Sequence, residues 1–205
     1  MATQLDVCNA ALAMAQQKRI DSAEFATPTQ PRTTEVKAQF EFALRELLRQ
    51  HNWRWAKTRV ALVEGTAPDF GWAHSFALPD DFVTLISLNE EDAYDFLEYY
   101  EIEGANLLTD ETTAEIVYIY YPAEEDIDDF CNLIDPLAMT AFITLLASKI
   151  CTATTEGQEK TSQLLNRYYQ FELPRARARA ANEGRRPIVD SDSRWLASRR
   201  QSTNG

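Results

Sequence analysis

Two histidines and several close pairs of carboxylates are the side chains of this chain best suited to move protons or hold a metal. His51 lies two residues before Trp53, and His74 sits between Trp72 and Phe76, a setting of aromatic packing rather than acid–base work. The adjacent acids Asp80 and Asp81, or Glu124 and Glu125, have the composition of a glycosidase acid and base. Such a pair works only when its carboxyls face each other across a cleft at ~5 to 9 Å. Glu125, Asp126, Asp128 and Asp129 offer the oxygen ligands calcium prefers, but the turn glycine and closing glutamate of an EF-hand loop are missing. The same acids suit the positive end of a helix dipole, and that reading asks less of the sequence. Cys8, Cys131 and Cys151 are odd in number, widely spaced and without a CxxC pair, which disfavours a disulfide framework or a zinc site. GxSxG, HExxH, phosphate-loop and GxGxxG motifs are absent, so no enzyme class has a motif behind it and no cofactor is implied.

The elements that would carry these residues follow from periodicity. Thr3 is placed to cap a helix from about 4 to 18, with Leu5, Cys8, Ala11, Leu12 and Ala15 on one face. Residues 20 to 32, with Pro28 and Pro31, read as a connection, and Thr33 as the cap of a second helix to about His51. Val36, Phe40, Ala43, Leu44, Leu47 and Leu48 form its apolar face, and Trp53 and Trp55 beyond it are large anchors for a core. From 58 to 121 the period is mostly two. Strands are expected near 58–63, 73–78, 82–88, 95–102 and 114–121, with 103–113 as an acidic turn region holding Gly104 and Asn106. Asp135 and Pro136 open a third helix to about Thr154, with Leu137, Ala141, Leu145 and Ser148 on one face. A fourth, from about 156 to 181, packs through Leu164, Leu165, Tyr168 and Phe171 and is disturbed at Pro174. Residues 184–205 change to Arg, Ser, Asp and Pro with little periodicity and read as an extended C-terminal arm.

The fold class expected is therefore α+β: a four-helix bundle from residues 1–56 and 126–183, a β-rich insertion at 57–125 between the second and third long helices, and the arm. A length of 205 residues with 45% hydrophobic content suits one core-bearing unit with appended elements. No basic start followed by an apolar stretch appears near the N-terminus. The longest apolar run, 137–147, is far below the ~20 residues of a membrane helix, so no membrane partner and an intracellular site of synthesis are expected.

Charge is unevenly placed. Residues 60–148 contain twenty acids and no Lys or Arg, while the whole chain carries a net −12, which leaves +8 on the remainder. Much of that positive charge is Arg175, Arg177, Arg179, Arg185, Arg186, Arg194, Arg199 and Arg200. So acidic a chain argues against ordinary nucleic-acid binding, and the arginines, interleaved with Asp190 and Asp192, fit a protein partner better than DNA.

The order of these pieces resembles a known family. RELLRQHNWRWAKTR (45–59) runs through a loop into GWAHSFALPDDF (71–82). Cys8, Asn9, Ala10 and Ala11 lie in the first helix, LLTDETTAEIVYIYYP reads as a hairpin over 107–122, and DPLAMTAFITLLASKI opens a helix over 135–150. Over roughly residues 4–155 this arrangement resembles the head-to-tail adaptors of short-tailed phages, the tail tubular protein A family. The resemblance implies a structural virion protein and not an enzyme: a ring, expected to be twelvefold, docked under the phage portal, joined to the tail tube or nozzle protein, with DNA passing through its channel without specific binding. It places the protein at the head-to-tail interface of the virion after synthesis in the host cytoplasm. In that setting Glu90, Glu91, Asp92, Glu124, Glu125 and Asp126 are candidate channel-lining residues that would repel phosphate, and a merely solvated acidic face is the alternative. Arg185, Arg186, Arg194, Trp195, Arg199 and Arg200 are candidate portal contacts, because Trp and Arg dominate interface hot spots. A cell-wall glycan hydrolase using acidic residues, and a soluble regulatory binding module, are the other functional readings.

Overall fold

The computed structural model describes residues 2–89, 91–92, 99–154 and 158–182, with the backbone alone at 91–92 and 152–154. The architecture is mixed α+β, as expected, with helices from both ends of the chain packed together and two antiparallel sheets formed by the middle.

Helix α1 (Gln4–Met14) begins with a capping box: Thr3 Oγ1 accepts from Asp6 N at 3.2 Å while Thr3 N donates to Asp6 Oδ2 at 3.0 Å. It stops four residues before the expected end. Gln16 takes a left-handed φ of 58°, and Gln17 N bonds back to Leu12 O at 2.7 Å, a closure usually made with glycine or asparagine. Gln gives no such signal in sequence, which is why the end was misplaced.

The connection holds a short helix, α2 (Ser22–Ala26), capped by Asp21. Helix α3 (Pro31–Arg49) starts at its proline rather than after a Thr33 cap, since a first-turn proline loses no helical hydrogen bond. The entry to α3 is held instead by Glu24. Its carboxylate accepts from Thr29 Oγ1 at 2.5 Å, Thr29 N at 3.0 Å and Gln30 N at 2.8 Å. The hydroxyl bond from Thr29 and the amide bond from Gln30 pull its pKa from the ordinary 4.5 down to about 2. A depressed carboxyl stabilises the fold above its unfolded value and loses that contribution as pH falls through the folded one. The stability gap between the native chain and Glu24→Gln is therefore expected at pH 5.5 and should close toward pH 2, as read by urea unfolding at both pH values.

The first sheet has the order β1–β7–β3–β4, from β1 (Lys57–Ala61), β3 (Phe82–Leu88), β4 (Glu91–Asp92) and β7 (Glu115–Tyr120). The second has the order β2–β6–β5, from β2 (His74–Ala77), β5 (Tyr100–Glu103) and β6 (Asn106–Thr109). The stretch expected to be an acidic turn over 103–113 thus holds the turn of a β5–β6 hairpin, and 107–122 is not itself a hairpin, because β6 and β7 lie in different sheets. Glu103 pairs with Asn106, leaving Gly104 and Ala105 as a two-residue turn in which Gly104 has φ 59°. Leu107 and Thr109 of β6 are fully buried, so the abundance of nearby acids masked a core strand. Of the strand expected over 95–102, residues 95–98 lie outside the described residues.

The first sheet divides two hydrophobic clusters. Val83, Ile86 and Ile119 on one face join the helical core, while Leu85, Leu88, Ile116 and Tyr118 on the other pack with Phe76 and Leu107 of the second sheet. At the centre of the helices lies α5 (Pro136–Thr154), opened by Asp135, whose Oδ1 accepts from Leu137 N at 2.9 Å. The single face expected for α5 is too narrow. Ala138, Phe142, Leu146, Ala147, Ile150 and Cys151 are buried as well, because α1, α3, α6 (Gln158–Arg167) and α7 (Leu173–Asn182) all contact it.

Between α6 and α7 the chain makes one π-helical turn, Tyr168–Glu172. Pro174 has no N–H to give to residue 170 and its ring would meet that carbonyl, so the wider turn upstream accommodates it without ending the helix. The extra residue rotates the packing face. Leu164, Tyr168 and Leu173 are buried, whereas Phe171, expected in the core, is 60% exposed. Glu172 is turned inward instead, and its Oε1 accepts from Arg167 Nε at 2.9 Å.

Candidate functional site

The acidic interval spans both sheets and the short helix that follows them, and the candidate channel residues fall near the two ends of the first sheet. β3 begins beside Asp80 and Asp81 and ends at Leu88, whose partner in β4 is Glu91. At ~3.3 Å per residue the seven residues of β3 separate its two ends by roughly 20 Å. The channel-lining candidates therefore fall into two groups. Glu91 and Asp92 are in β4 at the far end, with their side chains and all of Glu90 outside the described residues. Glu124, Glu125 and Asp126 form an exposed 3-10 turn at the near end, where the sheet meets the helices.

That turn leads into α4 (Ile127–Leu133), a separate helix ahead of α5 that the sequence periodicity does not show. Its acids have structural partners. Asp128 Oδ1 accepts from Gln4 N at 2.7 Å, and Asn132 Oδ1 from Ala2 N at 2.8 Å, so α4 ties down the beginning of α1. Asp128 and Asp129 stand in the first turn of α4, and Asp128 also holds the first turn of α1.

At the near end a groove of about 570 Å³ opens between β7 and α4. Asp80, Asp81, Asp126 and Asp129 contribute carboxylates to its lining, and Tyr120, Tyr121, Phe130 and Leu133 its apolar surface. The floor is firm: Tyr120 meets Phe130 edge-on at 5.4 Å between centroids, and Phe130 meets Trp55 at 5.5 Å. Tyr118 donates its hydroxyl to Asp81 Oδ1 at 2.9 Å, and burial followed by that acid pushes the phenol well above its ordinary pKa. Tyr120 is raised by burial and by Asp126 and Asp81, while burial with Glu41 lifts Tyr121 to about 12. All three therefore stay neutral donors beside the carboxylates at neutral pH. Arg45 stacks over the Tyr121 ring at 4.0 Å, a cation at the border of the groove.

Sequence reasoning had noticed Asp80 with Asp81, and Asp126 with Asp129, as separate runs; the structure brings the two runs to one groove. The signal available was the i, i+3 spacing of Asp126 and Asp129, which faces both along one side of a helix. Among the described residues no cluster of His, Cys, Asp and Glu has the geometry to hold a metal ion. The two histidines differ in setting. His51 meets Trp53 edge-on at 5.1 Å, with its pKa lowered by burial and by Arg177 and Lys57, and His74 Nδ1 lies 2.7 Å from Glu64 Oε1. The three cysteines are buried free thiols, and burial pushes Cys8 and Cys131 up to about 12, which makes them poor nucleophiles.

Large apolar side chains stand exposed on both the sheets and the helices. Val63 and Phe70, at 80% and 88% exposure, lie in the loop between β1 and β2, and Tyr99 and Ile102 border β5. On the helices the exposed ones are Phe42 on α3, Leu133 on α4, and Tyr169 and Phe171 on the π turn, with Tyr169 reaching Glu46 of α3 at 3.3 Å. On α7, Arg177 Nη2 donates to Gln50 Oε1 at 2.7 Å and pins the helix to the end of α3. Arg185, Arg186, Arg194, Trp195, Arg199 and Arg200 lie outside the described residues. No helix among the described residues is long and apolar enough to cross a membrane. Compared with known protein families the chain matches none, and it shows no significant match to a characterised protein.

Proposed function

We propose that this chain is a head-to-tail adaptor of the kind its segment order resembles, a structural virion protein that forms a ring under a phage portal. In this reading α1, α3, α5 and the α6–α7 rod are a four-helix bundle, and the two sheets are an insertion that projects from it. The observation that carries the reading is that large apolar side chains stand exposed on both the helices and the sheets, since exposed apolar surface marks contact sites. An adaptor needs two such surfaces. The helical region and the arginines of residues 185–200 face the portal, and the region around Val63 and Phe70 meets the tail tube or nozzle protein. Electron microscopy of the protein mixed with purified portal is the test: ring density on the portal supports the reading, and portal that stays bare overturns it.

The acidic near end belongs to the channel wall in this arrangement. Each carboxylate is repeated around the ring, so the wall repels phosphate and DNA slides without the counterion release that produces affinity. Reversing Glu124, Glu125 and Asp126 to Lys together is expected to slow genome ejection at low salt, with the rate recovering as salt is raised and particles still assembling. Salt-independent, unchanged rates would assign these acids to a solvated outer face.

The groove of Asp80, Asp81, Asp126 and Asp129 favours a second reading, a glycan hydrolase, because it sets two pairs of carboxylates beside aromatic surface. That reading requires turnover of cell-wall glycan that collapses in Asp81→Asn or Asp129→Asn, whereas the adaptor shows none.

A further inference from the structure

The groove between β7 and α4 has an apolar floor and an acidic rim. Tyr120, Tyr121, Phe130 and Leu133 supply the apolar surface, and Leu133 stands 57% exposed. On the rim, Asp80 and Asp129 have no hydrogen-bond or ion-pair partner among the described residues. Arg45, the cation at the border, is committed to the Tyr121 ring and to Glu41 at 3.1 Å. A segment with guanidinium groups beside apolar side chains suits such a surface, because arginine bonds carboxylates through two donors at once and stacks flat on aromatic rings.

The chain itself carries a segment of that composition. Residues 193–200 read SRWLASRR, with three arginines around Trp195 and Leu196 and no acid among them. The groove is also within its reach. Arg177 of α7 bonds Gln50, and ring contacts of 5.1, 5.6 and 5.5 Å lead from the adjacent His51 through Trp53 and Trp55 to Phe130 in the groove floor. Arg194 is twelve residues beyond Asn182, the end of α7. At ~3.3 Å per residue that length can span up to about 40 Å, which exceeds the ring path together with the ~8 Å that α7 runs on past Arg177.

We infer that residues 194–200 fold back into the groove of their own chain, with Arg194, Arg199 and Arg200 meeting the carboxylates of Asp80, Asp126 and Asp129, and Trp195 and Leu196 lying on the apolar floor. A short tether holds the segment near the groove at a roughly millimolar effective concentration, far above what other copies supply in dilute solution. The chain's own arm therefore outcompetes a neighbour's. This contact does not rest on the adaptor reading. Where that reading also holds, the portal draws on the same arginines, so groove and portal compete for one segment and the groove stores it until a portal is met. Exposed ion pairs add little to folding stability, so the contact is read by proximity and not by melting.

The full chain carrying Leu133→Cys and Ser198→Cys, dilute and under mild oxidant, should close a disulfide within one molecule. The native cysteines are buried and do not compete. Phe42→Cys with Ser198→Cys is the control. Phe42 is 62% exposed and lies eight residues along α3 from Gln50, ~12 Å at ~1.5 Å per residue, so it is about as near the root of the arm as the groove is. The Leu133 pair should close roughly tenfold faster or more, an advantage that shrinks as salt is raised. Reversing Asp80, Asp126 and Asp129 to Lys should remove the advantage, as should reversing Arg194, Arg199 and Arg200 to Glu. A chain carrying both sets should regain it, because the charges again oppose. Circular dichroism checks that every variant is folded. Equal closure at the two positions, closure indifferent to charge reversal, or a product made chiefly of linked copies overturns the inference. Specific closure with a portal left bare retains the arm contact and removes the adaptor reading, and ring density on portal without specific closure does the reverse.

Discussion

Trp53→Ala is expected to lower stability by about 3 to 5 kcal/mol, the usual range for deleting a large buried aromatic. Trp53 is fully buried, its Nε1 donates to Leu47 O at 2.7 Å in the last turn of α3, and its ring stacks on Trp55 at 5.6 Å between centroids. His51 covers its edge. Removing it opens a cavity where α3 turns into β1, and takes a donor from the end of the helix. Domains of ordinary stability hold only ~5 to 15 kcal/mol in total, so the variant should unfold at much lower urea and melt roughly 10 °C or more below the native chain. Trp53→Phe should recover part of the loss through the ring contacts but not through the hydrogen bond. A change below ~1 kcal/mol in Trp53→Ala would mean that the junction repacks, contrary to its dense aromatic contacts.

A chain ending at Asn182 is expected to keep its melting temperature and to lose attachment to portal. Among the described residues the buried part of the helical core ends at Ala176, ahead of the cut, and the segment removed has no periodic apolar pattern to add to it. What it removes is Trp195 with Arg185, Arg186, Arg194, Arg199 and Arg200, the residue types that dominate protein interfaces, where one hot spot is worth ~2 kcal/mol or more. Differential scanning calorimetry and co-sedimentation with purified portal should give opposite answers for this variant. Normal co-sedimentation would move the portal contact to Phe42, Tyr169 and Phe171 on the helices.

The apolar face of α3 was readable from sequence because all six of its periodic positions are buried. The opening of α5 was readable too, since Asp135 and Pro136 are chemically committed to a helix start. Other elements were hidden by side chains doing unusual jobs. Gln16 occupies a left-handed position that glycine would have advertised, and β6 follows so many acids that its buried Leu107 and Thr109 read as part of a turn. Phe171 was assigned to the core on a 3.6-residue period that the π turn breaks. The groove was half legible. Each aspartate pair stood out as a run, but only the docking of α4 beside β7 could show that they share a space. The edge of the first sheet was least legible, because Val60 follows the alternation of a buried strand and is exposed only because β1 has a neighbour on one side.

The first sheet has a consequence for how the molecule bears load. Its two faces belong to different hydrophobic clusters, with Val83, Ile86 and Ile119 gripping the helices and Leu85, Ile116 and Tyr118 gripping the second sheet. It acts as a shared wall, and close-packed interiors are stiff and pass strain from one side to the other. A push on the outer sheet therefore travels through β7 into α3 instead of being absorbed at a hinge, and the chain behaves as a strut rather than as two beads on a string.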